Sequence, residues 1–300
     1  MSRPAWAVRV PASSANLGAG FDVLGMALTL HAEVGIGRPP ERARTADDHH
    51  PAAVAFARAG GDGPLWVRSP IPAGRGLGFS GAVRVGGAAA AHVQRDGRDA
   101  LADVDVLAAI LDVAGDLEGH GDNAAASLYG GVVVAAGRSV ARIPLAFDPA
   151  VLVWVPEATT TSTDRSRTSL SATVSREDAV FNLGRVGLFV AACGTGDTAV
   201  LRTATDDRLH QSARLAAVPG SAAALDAGLE AGVWAAWLSG SGPTVAMLCE
   251  SSRADEIADQ LPDSGRTKCL RIDHEGAAVV DETSAPASAD GQAATSSDTG

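Results

Sequence analysis

This sequence predicts an α+β fold, and three observations carry that prediction. Short apolar or alternating runs bounded by Pro and Gly recur along the chain and read as strands. Longer runs with capping residues read as helices. The two kinds do not follow a regular βαβα rhythm, which argues against a doubly wound parallel sheet. With 300 residues and 46% hydrophobic content, the chain can bury the cores of two domains. Aromatic content is only 4%, so those cores are built mostly from Ala, Val and Leu.

The elements follow in order. Trp6, Val8 and Val10 alternate over residues 5–11, a half-buried strand that Pro11 is expected to end. Residues 27–37 read as a second strand, and the polar, Pro-containing stretch 38–51 as a loop. Pro51 before and Gly60 after "AAVAFARAG" mark a short helix. The run "LWVRSPI" (65–71) is a strand that enters a glycine-rich loop. A helix follows over 82–95, and its Gly86 and Gly87 point to close packing against another backbone, because glycine otherwise weakens a helix. Another helix spans 99–117. Residues 130–145 form two strands around Gly137, a hairpin signal.

The strand at 150–156 opens a second half. Ser175 caps a helix over 175–193 that has an acidic first turn. Residues 221–232 are helical, with Gly232 as the stop. Residues 234–250 are strand, glycine turn, strand; "RADEIADQL" is a helix and 268–273 a last strand. From 281 onward there is no Lys, Arg or aromatic residue, so 281–300 is expected to be a disordered acidic tail. The expected units are 1–148, 149–280 and that tail.

Bulk charge excludes some functions. Lys and Arg number 24 against 35 acidic residues, a net charge of −11, so no basic face for nucleic acid is expected. Lys268 is the sole lysine; an acidic, Lys-poor surface suits a salt-rich cytoplasm, and a high-GC genome would also favour Arg and Ala over Lys. Cys193, Cys249 and Cys269 lack metal spacing, and their odd number argues against a disulfide framework. Each reads as a small buried apolar residue. The N-terminal stretch is too short for a signal sequence, and no run approaches the ~18 apolar residues of a membrane span. A cytoplasmic protein is expected, without a membrane partner.

Six stretches carry polar chemistry. In "IPAGRGLGFSGAVRVGGAAAAH" (71–92), Gly76 and Gly78 can adopt positive φ and let phosphate oxygens approach the backbone. The helix after them would aim its free N–H groups and positive dipole end at an anion. The Walker Gly-Lys-Ser/Thr is absent, so a P-loop NTPase is excluded. "VPASSANLGAGFDVLGMAL" (10–28) sets Ser13, Ser14, Asn16 and Asp22 in a glycine-rich turn, more polar groups than a plain turn needs. "LEGHGDNAA" (117–125) brings Glu118, His120, Asp122 and Asn123 together; Asp122 alone would be an ordinary helix cap. Arg167 and Arg214 end "STDRSR" and "DRLHQSAR", and "LSGSGPT" (238–244) is a further glycine turn.

Together these stretches resemble the homoserine kinases, a family within the GHMP small-molecule kinase superfamily, over residues 7–275. "PASSANLGAGFDVLGMAL" is the most specific match; "LEGHGDN", "DAVFNLGR" and "DRLHQSARLAAVPG" follow in the family's order, and "LSGSGPTVAML" matches a more widely shared closing motif. The resemblance implies a two-domain GHMP kinase fold, an N-terminal half with a left-handed βαβ crossover and a ferredoxin-like C-terminal half. It implies phosphoryl transfer from ATP, with Mg2+, to the hydroxyl of L-homoserine, a step of threonine synthesis. The nucleotide phosphates would lie on Gly74, Arg75, Gly76, Leu77, Gly78, Phe79, Ser80, Gly81 and Ala82. Ser80 and Glu118 would hold the metal. Asp22, Glu118 and Asn123 would be the catalytic groups. Asn16, Asp22 and Asn123 would hold the amino and hydroxyl ends of homoserine, and Arg167 and Arg214 its carboxylate, for which a guanidinium fork is suited. His120 is assigned to shaping the turn. The expected assembly is a homodimer.

The sequence also departs from the family pattern. The usual Gly-Leu-Gly-Ser-Ser reads Gly-Leu-Gly-Phe79-Ser80, and "DDHH" stands where an Asn is expected near the purine. Two other readings remain open: a kinase of the same superfamily with another small hydroxy acid as acceptor, and a non-catalytic amino-acid-binding homologue.

Overall fold

The computed structural model describes residues 6–157, 168 and 170–281. Arg167 and residues 282–300 lie outside the described residues. The first part of the chain contributes β1 (Trp6–Ala15), β2 (Leu24–Ile36), β3 (Arg44–Thr45), α1 (Pro51–Arg58), β4 (Leu65–Arg68), α2 (Phe79–Asp96), α3 (Val104–Glu118), α4 (Asp122–Tyr129), β5 (Val132–Ala136) and β6 (Ser139–Ile143). The rest contributes β7 (Ala150–Pro156), α5 (Arg176–Thr195), α6 (Leu201–Ala204), α7 (Gln211–Leu215), α8 (Pro219–Glu230), β8 (Ala235–Leu238), β9 (Val245–Cys249), α9 (Ala254–Ala258), β10 (Gly265–Leu270) and β11 (Ala278–Asp281).

The strands form two sheets. In the larger, the order β11-β1-β2-β4-β3 is extended by β5, which pairs with β2, and by β6, which pairs with β5. The smaller has the order β10-β7-β9-β8, with every neighbour antiparallel. Numbered within that sheet, the order is 4-1-3-2 with helices after its first and third strands, the ferredoxin-like pattern. Both halves therefore have the mixed architecture expected. The final strand, β11, returns to pair with β1, Trp6 facing Asp281.

Local chemistry explains the helix ends. His50 caps α1, its side chain accepting from the Ala52 N–H, with Pro51 in the first turn. Ser175 caps α5 by accepting from the Asp178 N–H. Gly86 and Gly87 are required sterically: a Cβ on Gly87 would lie 2.1 Å from the Ala52 carbonyl oxygen, and one on Gly86 2.5 Å from Val34. That close approach seats α2 against α1 and the larger sheet. Alanine-rich packing continues along α2, where Ala88, Ala89 and Ala90 are fully buried.

Two expectations are corrected. Pro11 does not end the first strand. β1 runs on to Ala15, and the register with β2 shifts between Pro11 and Ala12. Proline cannot donate to a ladder, and an irregularity removes the need. The extra residues of β2 there include Thr29, whose N–H donates to the Arg271 carbonyl at 3.0 Å. Cys269 is exposed, unlike the buried Cys193 and Cys249; it lies on β10, at the margin of the smaller sheet.

The two sheets are joined by polar contacts beside the functional residues. Trp237 Nε1 on β8 donates to Ser14 Oγ at 2.9 Å, and Ser14 Oγ lies 2.7 Å from Ser239 Oγ. All three residues are fully buried. The end of β1 is thereby fixed to the turn after β8, and a cleft opens next to that junction.

Candidate active site

One wall of the cleft is the turn between β1 and β2. Asn16, Leu17 and Asp22 all have left-handed backbones, with φ of 70°, 44° and 59°. Non-glycine residues pay for that conformation, so the surroundings must over-determine it. They do: Asn16 Nδ2 donates to the Gly240 carbonyl at 2.9 Å, and Asn16 Oδ1 accepts from the Asp22 N–H at 3.1 Å. The turn holds both Asn16 and Asp22 at the cleft.

Arg214, on α7, reaches the same cleft from the other half of the chain. It is 5% exposed, and its Nη1 lies 3.3 Å from the Gly240 carbonyl and 3.2 Å from His210 Nδ1. His210 Nε2 lies 2.9 Å from the Gly18 carbonyl. Donation to that carbonyl leaves Nδ1 as the acceptor facing Arg214, which requires a neutral ring. Burial pushes the His210 pKa down, against the opposing pull of Asp207. The guanidinium also lies over the Phe21 ring, 5.2 Å from its centroid.

The opposite wall is the glycine loop. Gly76 and Gly78 have φ of 76° and 65°. A Cβ on Gly78 would lie 2.0 Å from Ser13 Oγ and 3.0 Å from Asn123 Oδ1; on Gly76 it would lie 2.4 Å from the Ser239 carbonyl oxygen. The loop is thus pressed against β1, α4 and the β8–β9 turn, and only glycine fits. Gly78 ends the loop, and α2 starts at Phe79, three residues earlier than the sequence suggests. The first N–H groups of α2 therefore belong to Phe79, Ser80 and Gly81, at the cleft. Leu77 and Ala82, expected among the phosphate contacts, are buried and do not line the cleft: the Ala82 N–H donates to the Gly78 carbonyl at 2.9 Å, and the Leu77 carbonyl accepts from the Ser13 N–H at 3.2 Å. Arg75 lines the cleft but turns its guanidinium to the carbonyls of Pro156 and Glu157, the latter at 3.0 Å.

Phe79 borders both the cleft and a groove on the other side of the loop. It meets the His50 ring edge-on, with centroids 6.2 Å apart. Beyond it that groove opens, with Arg42, Arg44 and Asp47 along its rim. Burial pushes the His50 pKa down, partly offset by Asp47. The residue that replaces the family serine thus separates the cleft from this groove.

The third wall is the junction of α3 and α4. Gly119, left-handed at φ 79°, ends α3 directly after Glu118. His120 Nδ1 lies 2.6 Å from Asp122 Oδ1, which also accepts from the Asn123 N–H at 2.8 Å. Asp122 is the first residue of α4 rather than its cap, which is Gly121. Asn123 Oδ1 accepts from Ser13 Oγ at 2.9 Å. Asp22, His120 and Asp122 each offer a ligand atom within 4.8 Å of the others.

The structure thus brings Asn16, Asp22, Ser80, Glu118, Asn123, Arg214 and the loop residues 74–76 and 78–81 to one cleft. One residue behind the cleft wall, bound to two of its lining residues, escapes the sequence reading. Arg84, one turn after Ser80 on α2, donates to Ser80 Oγ and pairs with Glu118. The available signal was its isolation: between Gly81 and His92 it is the one residue that is not Gly, Ala or Val.

Comparison with known proteins agrees with this geometry. Residues 48–131 match the N-terminal domain of the GHMP kinases, and residues 189–267 match the C-terminal domain. A homoserine kinase from Desulfitobacterium hafniense is 37% identical, covering 91% of this chain and 99% of its own length. The chain belongs to the GHMP kinase family. A second homoserine kinase, from Moorella thermoacetica, is 39% identical over 81% of this chain and 86% of its own. The crystal structure of homoserine kinase from Cytophaga hutchinsonii superposes with a TM-score of 0.79, covering 93% of this chain and 99% of that one at 23% identity. As a GHMP kinase the chain is an ATP-using phosphotransferase with a small-molecule substrate, and the cleft is the place to seek both ligands. Among the described residues no helix is long and apolar enough to cross a membrane.

Proposed function

We propose that this GHMP kinase transfers the γ-phosphoryl group of ATP to the hydroxyl of L-homoserine, giving O-phospho-L-homoserine for threonine synthesis. The observation that carries the reading is the meeting of Asn16, Asp22, Asn123 and Arg214 with the glycine loop in one cleft. Homoserine kinases that match 91% and 81% of the chain support it.

Phosphoryl transfer needs positioning and charge neutralisation more than a strong base. Arg214 holds the substrate carboxylate, aided by Arg167. Asn16, Asp22 and Asn123 orient the amino and hydroxyl ends. Asp22 accepts a hydrogen bond from the hydroxyl, aiming its oxygen at the γ-phosphorus. The new P–O bond forms as the bond to the β–γ bridging oxygen breaks, ADP leaves, and the hydroxyl proton passes late to Asp22 or water. The N–H groups at the start of α2 and the open backbones of Gly76 and Gly78 receive the donor's phosphate charge. The groove beyond Phe79 offers an aromatic face to the adenine.

Magnesium enters as the ion that ATP carries. Ser80 and Glu118 are oxygen donors of suitable chemistry. Both are engaged by Arg84, so as arranged they do not form an open metal site, and no step is assigned to the ion on them. A cytoplasmic location and a homodimeric assembly complete the proposal. Phosphorus NMR of the product after incubation with ATP, magnesium and L-homoserine tests it. A new phosphomonoester signal that needs homoserine is the expected result; ATP left unchanged would reject the reading.

A further inference from the structure

Arg84 stands out from its surroundings. It sits in the Gly/Ala/Val stretch 81–91 of α2, between fully buried Val83 and Val85, where a charged side chain needs partners. It has two, and both face the glycine loop. Its Nη1 donates to Ser80 Oγ and pairs with a Glu118 carboxylate oxygen. The pair is well shielded: the Arg84 side chain is 20% exposed and that of Glu118 10%. The Arg84 Nε–H is buried and has no hydrogen-bond partner. Two neighbouring elements impose this arrangement. Ser80 and Arg84 lie one helical turn apart on α2, so their side chains share a face. Glu118 is the last residue of α3, where the Gly119 turn redirects the chain.

We propose that Arg84 is the resident cation of the phosphate loop: its guanidinium, held between Ser80 and Glu118, contacts the terminal phosphates of the donor and stands where a divalent ion would take those two oxygens. The inference rests on the reading that the 74–81 loop holds the donor's phosphates. A guanidinium matches phosphate geometry and stays charged even where burial lowers its pKa, as it does here. Glu118 then serves as a positioning residue: it aims Arg84 and offsets part of its charge while the loop is empty. The protein thus needs less help from a metal to bind the nucleotide than open Ser and Glu ligands would require.

Calorimetry with ADP, in EDTA and then with magnesium, tests this on the full chain. Wild type is expected to bind ADP in EDTA within about tenfold of its affinity with magnesium. Arg84→Met is expected to weaken binding in EDTA by about tenfold or more, the size of a charge-assisted bond, and to weaken binding with magnesium by less. Manganese EPR on the nucleotide-free protein gives an independent reading. Arg84→Met is expected to gain a bound ion that wild type lacks, and adding Glu118→Gln to it is expected to abolish that ion. Should Arg84→Met fail to fold, Arg84→Lys keeps the charge without the fork, with an expected threefold or greater loss in EDTA. Unchanged ADP affinity in EDTA in either folded variant overturns the role of Arg84, as does manganese bound by wild type at Glu118. Wild type that binds no ADP under either condition overturns the reading of the loop itself, and the proposal with it. Homoserine-dependent turnover is measured separately and does not enter these outcomes.

Discussion

The two ends of the cleft are built differently. At the acceptor end the side chains are held in advance: Asn16 and Arg214 are buried and share the Gly240 carbonyl, and Asn16 and Asp22 have left-handed backbones. At the donor end most of the fixed parts are backbone, with Gly76 and Gly78 pressed against their neighbours, and the fixed side-chain group is Arg84 between Ser80 and Glu118. The side chains beyond them, Phe79 and the Arg42–Asp47 rim, line an open groove. The acceptor is a small molecule that must be told from its analogues, which requires fixed polar groups. In the proposed reading the donor's phosphates meet backbone N–H groups and charge, which tolerate side-chain change. That contrast explains how a phenylalanine can stand in the loop while the acceptor motif is kept.

The contrast can be broken most severely at the contact between the two ends. Gly78→Ala must place a Cβ 2.0 Å from Ser13 Oγ at φ 65°. The left-handed backbone alone costs ~1–2 kcal/mol. We expect a clear fall in melting temperature and a loss in kcat of roughly 10²-fold or more, since ångström-scale misplacement is that costly. Wild-type stability and turnover in this variant would mean that the loop does not pack on Ser13. Arg214→Met comes next. It should lower kcat/KM for homoserine by roughly ten- to a hundredfold and leave the KM for ATP within about twofold. Steady-state kinetics with each substrate varied in turn shows whether the two ends separate in this way.

His210 supplies a pH signature for the acceptor end. Its folded pKa lies below the ordinary value, chiefly through burial. The unfolded chain therefore takes up a proton first as the pH falls. Its effect on stability is absent well above about pH 6.5, and stability is lost as the pH drops from there toward the folded pKa. Thermal melts across this range should show the loss, and a His210→Gln variant should flatten it. The smallest effect is expected at Phe79. Phe79→Ser should change the KM for ATP by less than about tenfold, the scale of a single neutral hydrogen bond, and leave that for homoserine unaltered. A large effect on homoserine would show that the two ends are not separate.

Much of this was readable in the residues. Gly86 and Gly87 announced a close helix contact because glycine is otherwise out of place in a helix, and Ala52 proved to be the neighbour at Gly87. The β5–β6 hairpin and the Ser175 cap followed from local turn and capping chemistry. What was lost depended on distant partners. Pro11 looked like a stop because the irregular pairing that accommodates it is set by β2 and by Arg271. β11 is four residues long and gains its meaning only by pairing with β1. At the site, Asn16, Asp22, Asn123 and Arg214 stood out because each belongs to a polar motif. Arg84 did not, because its two partners are brought to it by a helical turn and by a second helix.

The central claim is that the fixed acceptor end is shaped for L-homoserine, and coupled ADP release with ATP and magnesium tests it most directly. Wild type is assayed with L-homoserine, shikimate and pantoate in turn, at low and at multimolar KCl, beside Asp22→Ala. ADP release that needs L-homoserine and is lost in Asp22→Ala is the result this account predicts. Release driven by another hydroxy acid instead, or homoserine binding without turnover at either salt, would contradict it.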